Sequence, residues 1–199
     1  MPERTLLEAC SPTLAGMKPA NLISLLYRNA DQARKDIREL NRIFVRRGLR
    51  AVPLNYCKDH VLLYIYRPDF LKDELNQSGV REFLEGYGYD CGNIDRCVAG
   101  LGEKIRARRS NQEFPHEIGL FLGYPLEDVK GFIQHKEEGC KCIGCWRVYA
   151  DEERAKKTFR NYQRCTDAYL RFWEQGHSLE ELVVPCGVNG CRTERETIK

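Results

Sequence analysis

Three cysteines stand within six positions of one another in the stretch "EEGCKCIGCWRVY": Cys140, Cys142 and Cys145. Three thiolates in a turn of the form C-x-C-x2-C could hold zinc or part of an iron–sulfur cluster if a fourth ligand arrived. The candidates for that fourth place are His135, Cys165, and the pair Cys186 and Cys191 in "CGVNGC", where the turn dipeptide Asn189-Gly190 would bring the two thiols face to face. The spacing lacks the paired C-x2-C of a zinc ribbon, so the competing reading is a set of reduced structural thiols.

A second constellation surrounds Cys10. In "CSPTLAGMK" the cysteine lies beside a proline turn, with Gly16 and Lys18 ahead of the next element. A thiol near a helix start or a lysine can lose its proton more easily and act as a nucleophile. It would need a base, for which His116 is the natural choice, with Glu117 beside it. Neighbours on a helix do not face each other, so Glu117 is badly placed to orient His116 as a triad member would. Arg67 follows a strand and precedes Pro68, a position from which a guanidinium could meet an anionic ligand. Tyr64, Tyr66, Tyr87, Tyr89 and Tyr124 could wall a pocket or simply edge the core.

Two familiar chemistries are excluded. "PHEIGLFLGYP" has His116 and Glu117 but Leu120 where a zinc protease of the H-E-x-x-H type needs its second histidine. Gly119, Gly123 and Gly131 do not form a phosphate-binding loop, because neither G-x-G-x-x-G nor G-x4-G-K-[ST] occurs.

The elements that must position these residues follow from periodicity. Ala33, Ile37, Leu40 and Phe44 share one helical face that Gly48 ends. "LRAVPLNYC" and "VLLYIYRP" read as a β-hairpin closed by Pro68, and "WRVYA" reads as a further strand joining it. Short helices fit "DFLKDEL" and "VREFLEGYG", and a longer one begins near Ile94, with Cys97 as a packing residue on its apolar face. Pro115 and Pro125 suit helix starts, Asp151 caps a long helix, and Ser178 with Glu181 forms a capping box. The fold class expected is α+β: a small, mostly antiparallel sheet, from a hairpin at about 50–66 and a strand at about 146–149, surrounded by helices. Residues 1–184 are expected to form one domain and 185–199 a cysteine-containing extension.

At 199 residues the chain can bury a core without staples. The ten cysteines, with no secretion signal in "MPERTLLEAC", therefore point to reduced thiols and a cytoplasmic setting. No apolar run reaches the roughly 18–20 residues of a membrane span. The net charge of +3 is small, and the basic clusters at Arg46, Arg47 and Arg50, at Arg106, Arg108 and Arg109, and along Lys156, Lys157, Arg160 and Arg164 are interspersed with acids, which argues against a nucleic-acid footprint.

The strings "CSPTLAGMKPANL", "YRP", "FPHEIGLFLGYPLEDVKGFI" and "CWRVYAD" resemble an uncharacterised bacterial family, a domain of unknown function encountered mainly in anaerobic Gram-positive bacteria. The resemblance runs from about residue 6 to residue 184. It implies a single domain and supplies no activity, substrate or cofactor. It also implies that the position of Cys145 can be tyrosine in relatives, that Trp146 and Tyr149 are typical, and that the tail from Cys186 lies beyond the shared region. The function expected is a cytosolic binding or sensing module in which thiols, a zinc or iron–sulfur centre, or redox state matter. The alternatives are a small-molecule enzyme built on Cys10, Arg67, His116 and Glu117, and a protein-interaction adaptor.

Overall fold

The computed structural model describes residues 3–107 and 113–186. Its main sheet has three antiparallel strands, β1 (Ala20–Leu26), β2 (Arg50–Tyr56) and β3 (His60–Tyr66), in the order β1-β3-β2. The central strand β3 is apolar without alternation because helices cover both of its faces. Val61, Leu63 and Ile65 enter one core, and Tyr64 and Tyr66 enter the other.

The α+β class and the hairpin at 50–66 stand as the sequence indicates, with a register shift between Pro53 and Asn55, where proline offers no N–H to the ladder. The third strand is a correction. The sheet is completed by β1, whereas Arg147–Val148 pairs with Cys142–Ile143 in a separate two-stranded ribbon.

The first core lies under α1 (Glu3–Leu14), α2 (Ala30–Phe44), α8 (Glu152–Glu174) and α9 (Leu179–Leu182), and holds Leu6, Leu7, Phe44 and Tyr169. The α2 helix carries the face Ala33, Ile37, Leu40 and Phe44, then tightens into a 3-10 turn that ends at Gly48 with φ 77°. Asp151 caps α8 by accepting from the Arg154 N–H at 3.0 Å, and the Ser178–Glu181 capping box is formed. The second core lies under α3 (Pro68–Leu75), α4 (Val80–Gly86), α5 (Ile94–Ala107), α6 (Ile118–Phe121) and α7 (Leu126–His135), with Cys97 packed in it as its position on α5 predicts. The Tyr64 hydroxyl crosses that core to donate to the Phe121 carbonyl at 2.7 Å. Among the described residues, no helix is long and apolar enough to cross a membrane.

Arg67 joins the two halves. It is 3% exposed, at the end of β3 and the start of α3. The last carbonyls of a helix have no partner within it and carry partial negative charge. Arg67 supplies the missing donors to α1: Nε donates to the Thr13 carbonyl at 2.7 Å and Nη2 to the Leu14 carbonyl at 2.6 Å. Nη2 also donates to the Val184 carbonyl at 2.8 Å, and Nη1 lies 3.4 Å from the Cys186 sulfur. Arg67→Ala should therefore strand several buried carbonyls and lower the unfolding free energy in urea by about 3–5 kcal/mol. Arg67→Lys should recover only part of that loss, since an ammonium cannot reproduce the planar fork.

Candidate functional site

The ribbon of β4 (Cys142–Ile143) and β5 (Arg147–Val148) is too short to stand alone. It is pinned to α7 by Asp128, a carboxylate only 2% exposed in the first turn of that helix. Oδ1 accepts the backbone N–H groups of Tyr149 at 2.8 Å and Ala150 at 2.9 Å, and Oδ2 accepts the Trp146 indole N–H at 2.7 Å. The Tyr149 hydroxyl adds a bond to the Lys136 carbonyl at the end of α7. Two glycines permit the close approach: a Cβ on Gly131 would fall 2.5 Å from the Tyr149 ring, and one on Gly144 would fall 2.3 Å from the Phe159 ring.

So held, Trp146 stacks on Tyr124 with centroids 4.9 Å apart and meets Phe159 edge-on at 4.5 Å. Its indole is one wall of a cavity of about 210 Å³ between the ribbon, α6 and α7, which Ile118, Val129 and Phe132 help to line. His116 and Arg147 also border it. His116 packs edge-on against Phe132 at 4.9 Å, with Nε2 3.4 Å from a Glu113 oxygen, and Arg147 pairs with Glu137 at 2.7 Å. Glu113 and Glu137 are exposed, so those charges sit outward; Asp128 also borders the space, with its oxygens taken by the ribbon donors, and the accessible lining is mostly apolar. Chemically this space suits a small ring or branched chain more than an anion.

The proposed catalytic residues have different surroundings. Cys10 is fully buried in the first core, within α1 and not at a helix start, because Pro12 is accommodated inside that helix. Burial pushes its thiol up to about 12, against the smaller opposing influence of Lys18 and a hydrogen bond with Asn21. The lowered thiol expected from its sequence context is thus reversed. Glu117 is buried beside the second core, where it accepts from the Tyr89 hydroxyl at 3.0 Å and from Lys104 at 3.2 Å. His116 borders the cavity instead, and the donors of Arg67 are engaged at the end of α1.

The cysteines are dispersed as well. Cys140 donates to the Glu137 carbonyl at 3.7 Å, Cys142 has Glu152 and Lys156 as charged neighbours, and Cys145 has Lys18. Cys165 packs against the first core, and Cys186 bonds the Gly48 carbonyl at 3.6 Å. His135 lines a shallow polar depression with Glu127, Lys130 and Tyr149. Cys191 lies outside the described residues. Among the described residues, no group of three or more His, Cys, Asp or Glu side chains is placed to hold a metal ion.

Sequence reasoning missed Asp128, whose place near a helix N-terminus reads as an ordinary dipole partner, and Lys18, noted only as a neighbour of Cys10. Two outcomes follow. In Asp128→Asn the amide must set its NH2 against a ribbon N–H, so stability should fall by about 2–4 kcal/mol. Combined with Trp146→Phe, which removes the competing indole donor, the two losses should add to less than their sum in a double-mutant cycle. With iodoacetamide near pH 8, exposed Cys57 and Cys186 should be modified in the native protein. Cys10 and Cys97, whose thiols burial holds protonated, should react only after unfolding.

The comparisons with known proteins bear on the same region. No curated protein and no solved structure matches the chain. A family model described as "Protein of unknown function (DUF3793)" matches residues 6–183, a span that contains Asp128, the ribbon and the cavity and stops short of Cys186. The chain belongs to the DUF3793 family.

Proposed function

We propose that this protein is a binding or sensing module for a small, uncharged and largely apolar ligand seated between α7 and the cysteine ribbon. The observation that carries the reading is the cavity itself, about 210 Å³ behind the Trp146 indole. The space is half open to solvent with a mostly apolar lining, the character of a small-ligand cleft. Pockets for drug-sized ligands run from about 300 Å³ upward, so a single ring or a short branched chain is the size that fits.

Thiol chemistry enters through the ribbon. Cys145 is exposed and directly precedes Trp146, so its modification would be felt at the cavity wall. All described cysteines are free, in keeping with a reducing compartment such as the cytosol.

Phenol is a suitable probe. The chain has two tryptophans, so its NMR spectrum should show two indole N–H signals. Titration with phenol should shift the Trp146 signal in a saturable way and leave Trp173 in place. Val129→Phe, which fills the space, should abolish the shift. A Trp146 signal that does not move, or that moves together with Trp173, would count against the reading.

A further inference from the structure

Lys18 is a buried amine with almost nothing to neutralise it. It lies in the turn between α1 and β1, where its backbone N–H donates to the Pro12 carbonyl at 3.2 Å, and it is 7% exposed. Its Nζ donates to the Asn21 Oδ1 at 2.7 Å and stands 5.2 Å from the centre of the Tyr124 ring. Asn21 is locked in that orientation, since its Nδ2 donates to the Ala9 carbonyl at 2.6 Å. Among the described residues no carboxylate pairs with Lys18. An ammonium has three protons to place, and here one neutral acceptor and the face of one ring receive them.

The contrast with Arg67 is instructive, because that cation is equally buried but meets three carbonyls. A cation kept for structure is satisfied; Lys18 is not. A buried ammonium short of partners gives up its proton, and burial accordingly brings Lys18 down to about 8 from 10.5. The ionisable groups facing it are thiols, Cys145 of the ribbon and Cys10 of α1. Cys145 is exposed, so the amine lies close to a position open to solvent. Desolvation of this kind is how lysines are activated for attack on carbonyl carbon.

We infer that Lys18 is a nucleophilic amine that condenses reversibly with a small aldehyde or ketone. The Nζ lone pair forms a bond to the carbonyl carbon. The resulting carbinolamine then loses the carbonyl oxygen as water, carrying off both amine protons, to leave a C=N imine. No oxidant or reductant is consumed, and hydrolysis returns the amine. This inference does not rest on the cavity reading: Tyr124 borders that space but Lys18 does not, and the trapping test reads the amine alone.

The test is competitive trapping on the native protein with butyraldehyde and sodium cyanoborohydride near pH 7.5, followed by peptide mass spectrometry of each lysine. At that pH a lysine titrating near 8 has a neutral fraction roughly two-hundredfold larger than one titrating near 10.5. Lys18 should therefore be alkylated at least about tenfold faster than surface lysines such as Lys58 or Lys157, and the advantage should vanish in denaturing urea. Cys145→Ser, at an exposed position, should keep the preference, which separates amine capture from thiol addition. Lys18→Gln should lose the fast label. Because the decisive comparison is made within the wild-type chain, it holds even if Lys18→Gln folds poorly. Labelling of Lys18 no faster than of surface lysines, or only after unfolding, overturns the inference.

Discussion

The candidate site depends on Asp128, a buried carboxylate with three N–H donors around it. Two strands of two residues each cannot hold a register in water. Fixed by charge-assisted bonds to two backbone amides and one indole, they become a rigid wall. Gly131 and Gly144 let that wall close on α7 and α8 without a Cβ between them. The position of Trp146, and with it the cavity, follows from this one acceptor.

Arg67 plays the matching part with the signs reversed. There a buried cation satisfies the carbonyl end of α1 and draws in the segment at Val184, so that sheet, first helix and C-terminal segment meet at one guanidinium. In both places buried charge is tolerated because each charged atom has a named partner. Lys18 departs from that rule, and the departure is what gives it chemical interest. The thiols, which dominate the sequence at first reading, do not gather three to a site among the described residues: Cys91 and Cys97 share the second core, Cys10 and Cys145 both face Lys18, and Cys186 sits at Gly48.

Local signals were well preserved in the sequence. The face of α2, the β2–β3 hairpin, the Asp151 cap and the Ser178–Glu181 box each rest on residues a few positions apart, and each is found. What was hidden depends on distant partners. "ANLISLL" becomes a strand because β3 offers it an edge, and the ribbon stays out of the main sheet because Asp128, about twenty positions earlier, captures it. Cys10 misled because a proline two residues on suggested a turn, whereas α1 runs through Pro12 to Leu14. A cavity has no sequence signature at all, being defined by atoms that are not there.

The most direct measurement is a crystal structure of the protein under xenon pressure, because xenon enters apolar cavities that water leaves empty. The account predicts a xenon atom between Ile118, Val129, Phe132 and Trp146, with the Asp128 bonds to the ribbon intact. Side chains collapsed into that space, or ordered water filling it in place of xenon, would contradict the claim that the ribbon walls a site for an apolar ligand.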